Sequence, residues 1–169
     1  MKPIKLFEIT TEEISVDEVV GRLADPGVGA VITFVGVVRG ETDGREVHYL
    51  EYEAYPEMAE ETLRQIGGEI QTRWKTIREV AIVHRVGRLQ VGETAVVIAL
   101  SAAHRQEVFD AIHYSIDRLK EIVPLWKKEV WADGAEWRSE RRSDEGTGGQ
   151  GDGETRGQGE KGTGSRGDG

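Results

Sequence analysis

Residues 101–129 read SAAHRQEVFDAIHYSIDRLKEIVPLWKKE. The segment opens where an apolar strand ends and carries His104 and Arg105 into what the pattern makes the first turn of a helix. It closes on Lys120, Pro124, Trp126, Lys127 and Lys128. Val108, Ile112, Ser115, Leu119 and Ile122 recur at intervals of three and four, which lays them along one stripe that faces a core. Pro124 ends the helix, because it lacks an N–H and pushes Val123 out of the α region. Phe109, His113, Ile116 and Lys120 form a second row on an adjacent face, so Lys120 ends a mostly apolar row and cations stand at both ends of one helix. Two readings of Lys120 follow. It is either a lysine snorkelling from the edge of a buried stripe, or a desolvated lysine, crowded by Lys127, whose lowered pKa suits it to act as base or nucleophile.

The chain on the N-terminal side of this helix supplies strands and two more helices. Residues 4–9 (IKLFEI) alternate apolar and polar like a half-buried strand. Ser15-Val16-Asp17-Glu18 fits a capping box that opens a short helix ended by Asp25-Pro26-Gly27. Residues 28–38 (VGAVITFVGVV) are nearly continuously apolar and β-branched, which predicts a strand buried on both faces. That strand ends in Arg39, placed either at the surface or where it meets an anion, and the loop 40–46 carries Asp43-Gly44 at its turn. Residues 47–55 alternate again and pair most simply with the preceding strand as an antiparallel hairpin. Pro56 opens a second helix, with Ala59, Leu63, Ile66, Ile70 and Trp74 on one stripe and a weakening Gly67-Gly68 pair inside it. Residues 77–86 and 94–102 are two further apolar strands joined by a loop over 87–93. His84 reads as a packed or hydrogen-bonded strand histidine, since no second His or Cys lies at a metal-ligand spacing.

On the C-terminal side, Trp126 to Trp131 (WKKEVW) alternates large and charged residues, and Asp133-Gly134 signals a turn before Trp137. Aromatic groups beside lysines either stack on a flat heterocycle or pack along an edge strand. From residue 143 to 169 no hydrophobic residue occurs and half of the 22 glycines fall there, which predicts a Gly-rich disordered tail after a domain spanning 1–142. The succession of hairpins and helices predicts an α+β domain with a largely antiparallel sheet and flanking helices.

Composition narrows the function. The formal charge of −9 argues against a general nucleic-acid binder, which needs a basic excess over an extended surface, but it leaves room for a small basic pocket. The 169 residues contain no cysteine, which excludes disulfides, thiolate metal sites and cysteine nucleophiles. No apolar run has the length of a membrane span or the form of a signal peptide, so the expected location is cytoplasmic and no membrane contact is expected. No GxGxxG, P-loop or HExxH motif appears, and no metal or cofactor is expected.

Five motifs then stand in register: Gly36-Val37-Val38-Arg39; Leu50-Glu51-Tyr52-Glu53-Ala54-Tyr55-Pro56-Glu57-Met58-Ala59; His84-Arg85-Val86-Gly87-Arg88-Leu89 with Gly92-Glu93; Ser101-Ala102-Ala103-His104-Arg105; and Asp117-Arg118-Leu119-Lys120 with Pro124-Leu125-Trp126-Lys127-Lys128-Glu129. Together they resemble the catalytic (large) subunit of molybdopterin synthase over roughly residues 6–142. The resemblance implies an α/β hammerhead-type fold and a homodimer within a heterotetramer. Its partner would be a small ubiquitin-like sulfur-carrier subunit whose C-terminal Gly-Gly thiocarboxylate gives sulfur to cyclic pyranopterin monophosphate. Two such transfers make the dithiolene of molybdopterin. By the same resemblance Lys120 and Lys127 are catalytic, and the substrate-binding set is Val37, Val38, Arg39, His104, Arg105, Lys120, Lys127, Lys128, Glu129 and Arg141, with His104 and Arg105 contributed across the dimer interface. Ile116 stands where a methionine is expected, and Val37 where some members carry a lysine. The residues agree with this independently: a cluster of Arg39, Arg105, Lys120 and Lys127 suits a phosphate and a carboxyl derivative, and a chain without cysteine needs a sulfur donor. The rival readings are a non-catalytic scaffold that docks a ubiquitin-like Gly-Gly tail, and a phosphate-binding metabolic enzyme of another kind.

Overall fold

The computed structural model describes residues 4–139, in the order β1 (Phe7–Thr10), α1 (Val16–Gly21), β2 (Ala30–Val37), β3 (Glu41–Thr42), β4 (Arg45–Ala54), α2 (Pro56–Arg73), β5 (Ile77–Arg85), β6 (Gly87–Gln90), β7 (Thr94–Ala102), α3 (Val108–Ile122), β8 (Leu125–Trp131) and β9 (Gly134–Ser139). Arg141, the boundary expected at residue 142 and the tail 143–169 lie outside the described residues. Among the described residues no helix is long and apolar enough to cross a membrane.

The strands form two sheets. The first has the order β1-β5-β7-β2, with β1 parallel to β5 and the other pairs antiparallel. The second has the order β3-β4-β8-β9, with β6 also pairing β4, all antiparallel. The fold is thus α+β with antiparallel pairing dominant, as the sequence predicts. Two details differ. β4 does not pair with β2: the two strands belong to different sheets, and the hairpin at Asp43-Gly44 joins β4 only to the two-residue β3. That turn has φ of 52° at Asp43 and 76° at Gly44, the left-handed pair that matches the twist of a two-residue hairpin. The segment 87–93, expected as a loop, contains β6, whose Leu89 is fully buried opposite Leu50.

Helices α2 and α3 cover one face of the first sheet. Ala59, Leu63, Ile66 and Ile70 of α2, with Val108, Ala111 and Leu119 of α3, pack on Val80, Ile82, Ile98 and Leu100. Each Val, Leu or Ile side chain among them contributes about 1.5–3 kcal/mol when fully removed from water. Helix α1 covers part of the other face, over Ala81, Val83, Val97 and Ala99. Its N-cap is Ser15, whose hydroxyl accepts from the Glu18 N–H, as the capping box predicts.

The apolar run that ends in β2 is not buried on both faces. β2 is an edge strand, pairs only with β7, and alternates: Val31, Val35 and Val37 are exposed. The doubly buried strands are the central β5 and β7. Nor is Gly67 merely a weak point in α2. A Cβ there would lie 2.4 Å from the ring of Phe7, so the glycine is what lets α2 lie close against β1.

Candidate active site

The site grows from the corner between α3 and β8. Helix α3 stops because Val123 turns extended, with its N–H given to Leu119, and Pro124 follows. Lys120 lies in the last turn, where a cation is favoured by the helix dipole. The buried stripe of α3 is Val108, Ala111, Ser115 and Leu119, and the Ser115 hydroxyl is satisfied by the Ala111 carbonyl at 2.7 Å. The second row is mixed: Phe109 is 64% exposed and His113 pairs with Asp117 at the surface, while Ile116, one turn before Lys120, is partly buried against the core. Lys120 itself is exposed in the single chain, which of the two readings fits a lysine reaching into water from the edge of a stripe.

Across the corner, alternation along β8 sorts its charged residues onto two faces. Lys127 and Glu129 share one face, with Tyr52 of β4 and Arg138 of β9 directly opposite Lys127 in register. Lys127 is mostly buried and lies 3.9 Å from a Glu129 carboxylate oxygen. Glu129 is buried, and its Oε2 finds no hydrogen-bond partner among the described residues. A carboxylate removed from water needs a counter-charge and donors; the Lys127 ammonium supplies the first, and the open Oε2 leaves acceptor capacity for a further donor. Deeper on the same side, Tyr52 meets His84 edge to face at 4.9 Å, and His84 Nδ1 lies 2.7 Å from the Arg85 carbonyl, so His84 is the packed strand histidine the sequence suggests. Lys128 stands on the opposite face, 3.6 Å from Glu51 and 5.4 Å from the centre of the Trp137 ring.

The remaining candidates sit on two other connections. Val37 ends β2 and is exposed, while Val38 is buried and clipped to the 90–93 turn: its N–H goes to the Glu93 carbonyl at 3.0 Å and its carbonyl accepts from Gly92 at 2.8 Å. Glu93 braces that turn, accepting from the Gln90 N–H at 2.6 Å and pairing with Arg85 at 3.4 Å. These two contacts, the backbone one first, hold its carboxyl below the usual carboxylate range. Arg39 projects, exposed, from this fixed base.

His104 and Arg105 are exposed on the segment between β7 and α3. The helix begins at Val108 rather than near Ser101–His104, because β7 keeps its pairing with both neighbours through Ala102. The two residues therefore lie in a loop before the helix and not in its first turn.

Sequence reasoning overlooked Arg138. The β8–β9 register places it against Lys127, and counting back from the turn at Ala132-Asp133 would have found it. Its pKa is raised, chiefly by the 3.1 Å hydrogen bond to Glu136.

Arg39, His104, Arg105 and Lys120 make no ion pair among the described residues, although the chain carries a formal charge of −9. Exposed Arg39, Arg105 and Lys120 and the exposed His104 imidazole, with a mostly buried lysine–glutamate pair on β8, define the class: a protein that offers side-chain charge to an anionic ligand. Residues 9–122 match the family described as "MoaE protein". The molybdopterin synthase catalytic subunit of Halalkalibacterium halodurans is 51% identical over 133 residues, covering 79% of this chain and 85% of that protein. The one from Staphylococcus carnosus is 49% identical over 140 residues, covering 82% and 92%. The crystal structure of molybdopterin synthase from Staphylococcus aureus superposes with a TM-score of 0.77 at 47% identity, covering 80% of this chain and 98% of that one. The chain belongs to the MoaE protein family, that of the molybdopterin synthase catalytic subunits.

Proposed function

We propose that this protein transfers two sulfur atoms to cyclic pyranopterin monophosphate from the thiocarboxylated Gly-Gly end of a small ubiquitin-like carrier subunit, forming the molybdopterin dithiolene in the cytoplasm. The observation that carries this reading is the Lys127–Glu129 pair at 3.9 Å, mostly buried, on a chain of this family that also exposes Arg39, Arg105 and Lys120 without an ion pair among the described residues. The relatives are named catalytic subunits, which supports at least one further subunit; we take it to be the carrier. The chain folds as an α/β hammerhead-type domain and works as a homodimer within a heterotetramer. The open face of β2, with Val37 54% exposed, supports a covered surface in that assembly.

In this mechanism Arg39, His104 and Arg105 hold the phosphate, the last two reaching across the dimer interface. Val37 and Val38 form a neutral wall. Lys127, oriented by Glu129, stabilises the oxyanion that forms at the thiocarboxylate carbon. Lys120 moves protons or briefly accepts the acyl group. Lys128, on the far face of β8, and Arg141 complete the cationic surroundings. Substrate or carrier that covers Lys120 supplies the desolvation the single chain lacks.

The test is conversion of cyclic pyranopterin monophosphate to molybdopterin by the purified protein with thiocarboxylated carrier, wild type against Lys120→Ala. Product with wild type and a loss of about 10²-fold or more in the variant supports both the activity and the lysine's role. Product unaffected by the substitution keeps the activity and removes Lys120 from the mechanism. No product from a folded protein that still binds the carrier indicates a scaffold.

A further inference from the structure

Glu107 occupies the N-cap of α3, and its backbone carbonyl accepts from the Ala111 N–H at 3.1 Å, yet its side chain makes no hydrogen bond to the helix it caps. The carboxylate turns instead across 31 residues of sequence to Thr76, in the turn between α2 and β5. One of its oxygens, Oε2, accepts from both the Thr76 N–H, at 3.0 Å, and the Thr76 hydroxyl. The Thr76 carbonyl in turn accepts from the Ala103 N–H at 3.2 Å. The segment 103–107 is therefore tied to one residue at both of its ends.

A third tie lies on the other side. The Gly29 N–H donates to the Ala102 carbonyl at 2.9 Å, and a Cβ on Gly29 would come within 2.4 Å of the Ala103 carbonyl oxygen. Only a glycine lets the backbone approach this closely. Between these ties the loop exposes His104, Arg105 and Gln106. A short loop tied to Thr76 at both ends, at one of them through a carboxylate that forgoes capping its own helix, is organised to present what stands between.

We propose that Glu107 is a positioning residue that, through Thr76, holds the 103–107 loop so that His104 and Arg105 meet the substrate's phosphate. This rests on the reading that those two residues bind the phosphate. Pre-ordering them removes the entropy that two long side chains on a free loop would lose on binding. The effect therefore falls on substrate affinity and not on the chemical step. The bonds to Thr76 also hold the Glu107 carboxyl below its usual range, so the tether stays in its accepting form at neutral pH.

The test uses the full chain with thiocarboxylated carrier. Glu107→Ala is expected to raise KM for cyclic pyranopterin monophosphate about tenfold with kcat within about twofold, and Glu107→Gln, whose amide oxygen still accepts, to recover part of the loss. Without substrate, tryptic cleavage between Arg105 and Gln106, followed by mass spectrometry, is expected to speed up about tenfold in Glu107→Ala as the loop is released. KM and cleavage both at wild-type values overturn the proposal. Faster cleavage with unchanged KM, when Arg105→Ala does raise KM, also overturns it. Arg105→Ala with unchanged KM refutes the phosphate-binding reading itself and takes the proposal with it, leaving the cleavage rate to report a purely structural tie. If Glu107→Ala fails to fold, Thr76→Val, which keeps the backbone donor, carries the test. It is expected to raise KM about threefold, with Thr76→Ser restoring it, and an unchanged KM in Thr76→Val overturns the proposal.

Discussion

Replacing Glu69 by Gln tests the clamp that fixes α3 against α2. Arg118 of α3 gives Glu69 of α2 two hydrogen bonds, at 2.9 and 3.0 Å, and the same carboxylate accepts from the Tyr114 hydroxyl at 2.7 Å and from Gln65 at 3.0 Å. With Arg118 as the chief cause, the Glu69 carboxyl is held down at about 2 against an ordinary 4.5. At about 1.4 kcal/mol per pH unit, that difference corresponds to roughly 3.5 kcal/mol. Both side chains are 26% exposed, and solvent screening reduces the figure to about 2 kcal/mol.

Because the folded pKa lies below the unfolded one, the contribution is complete above about pH 4.5 and is lost as the pH falls towards 2. Glu69→Gln removes the charge and keeps the shape. Denaturant titration at a series of pH values is expected to show the variant about 2 kcal/mol less stable at pH 7, with Tm lower by about 4–8 °C. The gap should shrink to less than half by about pH 3. A gap of the same size at pH 3 and pH 7 would refute the reasoning, since it would mean the clamp works through packing and not through charge.

Other perturbations separate structure from chemistry. Lys120→Ala is expected to unfold within about 0.5 kcal/mol of wild type, because the side chain is exposed and unpaired among the described residues; a larger loss in denaturant titration would show that Lys120 supports the fold. Gly67→Ala places a Cβ 2.4 Å from the Phe7 ring, so overpacking of about 1–3 kcal/mol outweighs the helix-propensity gain of about 1 kcal/mol, and Tm falls; a rise in Tm would mean that β1 shifts freely. Ser15→Ala should cost about 1 kcal/mol through the lost cap of α1, read in the same titration.

Much of the site was legible in the chain because it depends on local rules. Pro124 must stop α3, so a lysine before it and the lysines after it lie on either side of one corner whatever the rest of the chain does. The β8 alternation puts Lys127 and Glu129 on one face and Lys128 on the other, and the Asp43-Gly44 turn follows from the residues that tolerate positive φ. These are facts about neighbours within a few residues. The stripes of α2 and α3 are likewise set by a period of 3.6.

What tertiary structure decided concerns partners distant in sequence. VGAVITFVGVV carries the same side chains whether it lies in the middle of a sheet or at its edge, and only the pairing of β5 with both β1 and β7 leaves β2 on the outside with Val31 and Val35 uncovered. The tie from Glu107 to Thr76 could not be read from a glutamate that local rules would assign to a helix start. Nor does the 3.6 period say which of two adjacent rows of α3 is buried: the sheet took the row containing Ser115 and left Phe109, His113 and Lys120 of the other row to solvent. Backbone geometry fixes which residues share a face, but burial depends on which other surface arrives to cover it.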